Sequence, residues 1–173
     1  MKKAIFLDKD GTLNIDIWYA YKKEDCTLLE PGIWGILRQF QQKWYFLIIV
    51  TNQAGIDKWY YKEDDFHVFM LELQKQLWIT FNGIYFCPYH PDFSGESIFR
   101  KPNNGMLLQA QKDFDIDCSL SYMIGDNEKD IQAGKKSWCK TILYNSQNFD
   151  LKDFKNIPDF CVTSWNEIEK IID

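Results

Sequence analysis

The chain has 173 residues and a mass of 20.7 kDa, with 20 basic against 25 acidic side chains, a net charge of -5 and a pI near 5.1. That length suits one domain, and 46% apolar residues suffice for a core, which excludes disordered and collagen-like chains. The acidic balance argues against a nucleic-acid partner, no apolar run is long enough to span a bilayer, the start MKKAIFLDKDG meets charge too early for a signal peptide, and five scattered cysteines read as reduced thiols, so a cytoplasmic monomer is expected.

Strand-length apolar runs alternate with amphipathic stretches of helix length. Residues 3–8 (KAIFLD) read as a buried strand ended by the turn chemistry of Asp10-Gly11. Ile33, Ile36, Leu37 and Phe40 are spaced by threes and fours, which predicts a helix over 32–43. Residues 45–50 (YFLIIV) are apolar throughout, as in a strand covered on both faces. A helix over 62–78 follows, striped by Phe66, Phe69, Met70, Leu73 and Leu77. Then come a strand at 83–87, a loop at 88–103, a helix at 104–114, a strand at 120–124, a helix at 127–137 and a strand at 140–143. Beyond Tyr144 the pattern weakens into a tail, 145–173, with a short helix expected at 164–172. This alternation predicts a doubly wound α/β fold with a mostly parallel sheet, one domain over 1–173, whose ligands sit at the carboxyl ends of the strands.

Those strand ends carry the chemistry. They read Asp8-Lys9-Asp10-Gly11-Thr12, then Thr51-Asn52-Gln53-Ala54-Gly55, then Arg100-Lys101-Pro102 after the long loop, and Gly125-Asp126-Asn127-Glu128-Lys129-Asp130. Each alone has an ordinary reading as a turn, a loop start, solvated surface or a helix cap. Together they form a coherent set. Asp8 and Asp126, brought to one point, would repel each other unless a hard divalent cation such as Mg²⁺ lay between them. A carboxylate beside such a cation can attack phosphorus and form an aspartyl-phosphate. Asp10, at i+2 on the same side of an extended segment, could protonate the leaving oxygen and later deprotonate water. Thr51, Asn52 and Lys101 suit the phosphoryl oxygens, and the planar fork of Arg100 suits a second anionic or hydroxylated part of the substrate.

FLDKDGTLN, VTNQAGI, RKP and GDNEKDIQAG resemble, in order, the four motifs of the haloacid dehalogenase (HAD) phosphatase superfamily over residues 4 to 144. VTNQAGI with CPYHP and RKPNNGM resembles the branch holding the heptose-bisphosphate and histidinol phosphatases, which lacks a large cap domain. The resemblance implies a small phosphorylated metabolite as partner, a heptose bisphosphate first and histidinol phosphate as alternative. It implies Asp8 as nucleophile and Mg²⁺ ligand, and Asp10 as acid/base that offers its backbone carbonyl to the metal. Thr51 and Lys101 stabilise the phosphoryl group, Asp126 binds Mg²⁺, and Asp130 supports the site from behind. Substrate contacts fall on Asp16, Tyr19, Asn52, Gln53, Arg100 and Asn127, with the segments 16–19 and 52–54 around them.

The chain departs from the branch twice. Members commonly hold a structural zinc in the long loop. The aligned positions here are Cys87, Tyr89, Ser97 and Phe99, so one ligand survives, and even with His90 the four that structural zinc needs are not reached. The expectation is no zinc, with loop 88–99 held by packing of Tyr89, Phe93 and Phe99. The second departure is seven tryptophans. Trp44 and Trp138 stand at helix-to-strand junctions that favour positive φ, and Trp18, Trp59 and Trp78 fall where similar sequences carry glycine. Family drift in surface loops is one reading; a UGA codon that the host reads as glycine is the other, and five coincidences favour it.

Two rivals from other classes are a signalling receiver domain and an inactive binding protein. Asp10 with Gly11-Thr12 separates the first, since an acid at i+2 promotes breakdown of a phosphoryl-aspartate, and receivers lack an Arg-Lys-Pro segment. Turnover of a generic aryl phosphate separates the second.

Overall fold

The computed structural model describes residues 1–145 and 151–172. Six parallel strands form one sheet: β1 (Lys3–Leu7), β2 (Tyr45–Asn52), β3 (Gly83–Cys87), β4 (Tyr122–Gly125), β5 (Lys140–Tyr144) and β6 (Phe160–Val162), in the order β3-β2-β1-β4-β5-β6. The helices are α1 (Ile33–Gln42), α2 (Glu63–Leu77), α3 (Gly105–Phe114), α4 (Glu128–Lys136) and α5 (Trp165–Ile171). Strand alternation divides the core between the two faces of the sheet. Ile5, Leu7, Leu47, Ile49, Ile124 and Ile142 meet α1, α2 and α5 on one face. Ala4, Phe6, Ile48, Val50 and Met123 meet α3 and α4 on the other. With both faces covered, the central strands need the continuous apolar runs that made them legible. No helix of the described residues is long and apolar enough to cross a membrane.

The chain order reverses between β1 and β4, so the crevice beyond their carboxyl ends is the switch point where such sheets bind ligands.

The expected elements differ from the observed ones chiefly in three places, the first being β2, which runs on through Thr51 and Asn52. β4 starts two residues late because Cys118–Leu120 form a 3-10 turn, where the Asp117 carboxylate accepts the Ser119 N–H at 2.9 Å. The tail is more ordered than its pattern suggests: residues 146–150 lie outside the described residues, but β6 adds an edge strand and α5 buries Trp165 and Ile168. β6 escapes a periodicity argument because it has three residues, two of them exposed.

Among the described residues, seven non-glycines have positive φ: Trp18 (55°), Tyr19 (62°), Trp44 (65°), Trp59 (61°), Trp78 (53°), Asp115 (58°) and Trp138 (65°). Five of these are the tryptophans singled out by position; the two remaining tryptophans of the chain, Trp34 and Trp165, lie in α1 and α5.

Candidate active site

Parallel pairing of β1 with β4 (Leu7 beside Ile124) brings the segment after one strand against the segment after the other. The Asp8 N–H donates to the Ile124 carbonyl at 2.9 Å, carrying the register one residue past the strand. The turn then reverses through Gly11 at φ 73°, whose N–H donates to Asn14 O at 2.8 Å. A Cβ at Gly11 would lie 2.1 Å from Asp126 Oδ2, so this close approach requires glycine. Asp8, Asp10, Thr51, Lys101 and Asp126 all line one open cleft of about 320 Å³.

Lys101 is the hub. Its Nζ forms ion pairs with Asp8 Oδ1 (2.8 Å) and Asp130 Oδ1 (2.6 Å) and donates to the Val50 carbonyl (2.8 Å), so one ammonium ties the end of β1, α4 and β2 together. Lys101 is only 2% exposed. Burial alone would lower the pKa of its ammonium, but the carboxylates of Asp130 and Asp8 outweigh that and raise it. The acids feel the converse. Burial, then the charges of Asp8 and Asp130, push Asp126 up to about 8. Burial lifts Asp130 to about 6 in spite of Lys101.

Asp8, Asp126 and Asp130 offer carboxylate oxygens within 4.8 Å of one another. Three hard oxygen donors against one ammonium leave a negative notch that resists ionising fully, and that donor set fits a hard divalent cation. Asp10 stands outside this set. Lys9 donates to Asp10 Oδ1, Asn14 Nδ2 donates to the same oxygen at 2.9 Å, and Gln53 Nε2 donates to Asp10 Oδ2 at 3.2 Å. Lys9 is wholly buried, its ammonium 4.1 Å from the centre of the Phe69 ring. Behind Gln53, the Tyr61 hydroxyl donates to Gln53 Oε1 at 2.6 Å, and Gln53 Nε2 also reaches Thr51 Oγ1 at 3.0 Å.

The remaining expected residues also line the cleft, with their polar groups engaged in different ways. Asn52 is bound to the Lys101 backbone at both ends of its amide: Nδ2 donates to Lys101 O at 2.9 Å and Oδ1 accepts Lys101 N–H at 3.0 Å. The peptide bond that follows, Lys101–Pro102, is cis. Asn127 caps α4, accepting the Lys129 N–H at 3.1 Å. Asp16 accepts the Trp18 N–H at 3.0 Å, and the Tyr19 hydroxyl accepts from Lys58 Nζ at 3.0 Å. Arg100 Nη1 donates to the Tyr89 carbonyl at 3.0 Å. Sequence reasoning missed Lys9 and Tyr61. Lys9 carried a signal, since a lysine between two strand-end acids in a buried segment has to find a carboxylate; Tyr61 carried none.

Loop 88–99 corrects an expectation. Tyr89, Phe93 and Phe99 are 47%, 60% and 37% exposed, too open to hold it by packing. Its first half is held through Asp57, whose carboxylate accepts the His90 N–H at 2.7 Å and the Ser94 hydroxyl at 2.5 Å, and its end by Asn103 Nδ2 donating to Ser97 O and Gly105 N–H to Ile98 O, both at 3.0 Å.

Comparison with known proteins places the chain in a family. The HAD-hydrolase-like family model matches residues 98–168. The chain is 38% identical over 184 aligned residues to the D-glycero-beta-D-manno-heptose-1,7-bisphosphate 7-phosphatase of Pasteurella multocida, covering 99% of this chain and 97% of that protein. It is 44% identical over 150 residues to the D-glycero-alpha-D-manno-heptose-1,7-bisphosphate 7-phosphatase of Burkholderia mallei, covering 82% and 78%. The crystal structure of D,D-heptose 1,7-bisphosphate phosphatase from B. bronchiseptica, complexed with magnesium and phosphate, has the same fold, with a TM-score of 0.82 at 20% identity over 98% of this chain and 97% of that one.

Proposed function

The chain belongs to the heptose 1,7-bisphosphate 7-phosphatase family of HAD-like hydrolases, and from that premise we propose that it removes the 7-phosphate of D-glycero-D-manno-heptose 1,7-bisphosphate through a phosphoryl group carried on Asp8. The observation that carries this reading is the meeting of Asp8, Asp126, Asp130 and Lys101 in one notch at the switch point of the sheet.

In this reading an Asp8 carboxylate oxygen attacks phosphorus, the bond from phosphorus to the sugar oxygen breaks, and a proton held on Asp10 passes to that leaving oxygen. A water then attacks the same phosphorus, gives its proton back to Asp10, and inorganic phosphate leaves as the bond to Asp8 breaks. Lys101 orients the Asp8 oxygen, while Lys9, Asn14 and Gln53 hold the Asp10 carboxylate beside it. The Thr51 hydroxyl and the Lys101 ammonium offset charge on the phosphoryl oxygens. Asp8 and Asp126, backed by Asp130, would hold Mg²⁺, with the Asp10 backbone carbonyl as a further ligand. When bound, the ion supplies positive charge to the carboxylates and the phosphoryl group.

Residues 1–173 act as one catalytic unit in this reading, supported by the Trp165 indole N–H, which donates to the Thr12 carbonyl at 3.0 Å and so ties the tail to the first motif. Asp16, Tyr19, Arg100 and Asn127 face the sugar. Asn52 and Gln53, their amides engaged, hold the walls of the cleft. Loop 88–99 holds no zinc, because Tyr89, Ser97 and Phe99 supply no ligand beside Cys87. Stoichiometric zinc in protein purified without added metal, lost in Cys87→Ala, would overturn that part. The reaction itself is tested by phosphate release over a panel of sugar phosphates plus histidinol phosphate with Mg²⁺. The heptose bisphosphate is expected to have the highest kcat/KM. Preference for histidinol phosphate would refute the substrate, and no turnover of any ester, aryl phosphates included, would refute the enzyme.

A further inference from the structure

Arg100 reaches the cleft from a short segment, and its guanidinium is held by one peptide unit. The carbonyl of the Tyr89–His90 peptide accepts Arg100 Nη1 at 3.0 Å, while the N–H of the same peptide donates to Asp57 Oδ2 at 2.7 Å. Asp57 Oδ1 accepts the Ser94 hydroxyl at 2.5 Å, and the Phe93 and Ser94 N–H groups close a turn on the His90 carbonyl at 3.0 Å each. The Ser94 hydroxyl, then the His90 amide, hold the Asp57 carboxyl below its ordinary pKa, as expected of a carboxylate with two aligned donors. A negative charge on the N–H side of a peptide polarises it and makes its carbonyl a stronger acceptor. The aromatic side chains of this loop are too exposed to set its position, which leaves Asp57 as its anchor to the turn after β2.

We propose that Asp57 is a positioning residue for Arg100, acting through the Tyr89–His90 peptide, and thereby sets affinity for the part of the substrate distant from the reacting phosphate. This rests on Arg100 being the contact to that part. In Asp57→Ala, KM for heptose 1,7-bisphosphate should rise about tenfold, with kcat within about twofold of wild type. kcat/KM for p-nitrophenyl phosphate, which has no second anionic part, should not change. Arg100→Ala should raise KM for the heptose bisphosphate at least as much, the double variant should lose no more on that substrate than Arg100→Ala alone, and Asp57→Asn, which keeps one acceptor, should fall between wild type and Asp57→Ala. Additive losses, or equal losses on both substrates, would overturn the proposal. Should the wild type hydrolyse the aryl ester but not the heptose bisphosphate, the substrate reading fails instead. The anchor is then read from amide exchange at 89–94, which must speed up in Asp57→Ala; unchanged exchange would overturn it.

Bulky residues at positive φ are true outliers, yet five of the seven positive-φ non-glycines here are tryptophan. Two of these close helices in the manner that calls for glycine. After α2, Trp78 N–H donates to Lys75 O and Ile79 N–H to Gln74 O, both at 3.2 Å; after α4, Trp138 N–H donates to Lys135 O at 3.1 Å and Cys139 N–H to Gly134 O at 3.0 Å. The same pair of bonds closes the turn at Trp59, and Trp44 N–H makes the first of them to Gln41 O at 3.0 Å. The indoles of Trp18, Trp44, Trp59, Trp78 and Trp138 are 78–91% exposed, so no packing compensates the backbone. α3 ends at the same kind of position with Asp115, a residue type that tolerates it. We infer that positions 18, 44, 59, 78 and 138 are glycine in the protein its own cells make, each from a UGA codon that those cells read as glycine. Trp165, buried and hydrogen-bonded, stays tryptophan. Peptide mass spectrometry of the protein from its source cells should return glycine at all five positions and tryptophan at 165. Tryptophan at 44 and 138 would end the inference. In recombinant protein, Trp44→Gly and Trp138→Gly should each raise Tm by roughly 2–4 °C, whereas a fall in both would contradict it.

Discussion

Lys101 and Asp8 show what a single side chain contributes. An ammonium that satisfies two carboxylates and a carbonyl in a site 2% open to solvent cannot be removed without leaving buried charge behind. Lys101→Met should therefore cost about 3–5 kcal/mol in urea unfolding of the cation-free protein, and Mg²⁺ should restore part of it by meeting the same carboxylates. Asp8→Asn and Asp10→Asn should each lower kcat by at least ~10²-fold, the first by removing the attacking oxygen, the second the proton carrier. A phosphate-release assay checks both, and near-wild-type turnover in Asp8→Asn would rule out the covalent route. Asp8, Asp10, Thr51, Lys101 and Asp126 were legible because each directly follows an apolar run or closes the long loop. Asp57 was not: it lies in a turn with no motif of its own, between Ile56 and Lys58, and its partners are 33 and 37 positions away.

At the level of elements, the decisive contact joins the last helix to the first motif. Trp165 is 1% exposed, and its indole N–H donates to Thr12 O inside the turn that carries Asp10. Trp165→Ala should lower stability by about 3–5 kcal/mol through the cavity it leaves, and should also reduce kcat, because the turn loses a support. Denaturant melts and kinetics on the same preparation test both, and an unchanged kcat in a destabilised but folded variant would separate the tail from the site. The strongly periodic helices and the buried strands were readable because burial on a face imposes a repeat. β6 was not, since three residues at a sheet edge with one buried side chain impose none.

For the whole molecule, the acid cluster makes stability depend on pH. Asp126 is pushed up to about 8 and Asp130 to about 6, so without a cation the folded state keeps protons that the unfolded chain releases near its ordinary carboxylate range. Between about pH 4 and 8 the folded state binds more protons than the unfolded one, so this contribution to stability falls as pH rises. In EDTA, Tm should decline from about pH 5 to pH 8, and the increase produced by Mg²⁺ should grow over the same range, because the ion favours the deprotonated acids. Asp126→Asn should flatten both trends. A Mg²⁺ increment that shrinks with rising pH would contradict the shared cluster.

The amino-acid sequence by itself determined the alternation of strands and helices, the doubly wound class and the acids, hydroxyl and lysine at the strand ends. These follow from local rules, the repeat that burial imposes and the residues that turns require. It also marked Trp44 and Trp138 at helix-to-strand junctions where glycine is expected, because backbone conformation there depends on neighbours within one turn, whereas Trp18, Trp59 and Trp78 stood out only against similar sequences. Only the tertiary structure decided which groups meet: Lys101 between Asp8 and Asp130, Lys9 folded inward against Asp10, and one peptide clasped between Arg100 and Asp57. Such contacts depend on how distant segments approach in three dimensions, and no local period or spacing records that distance.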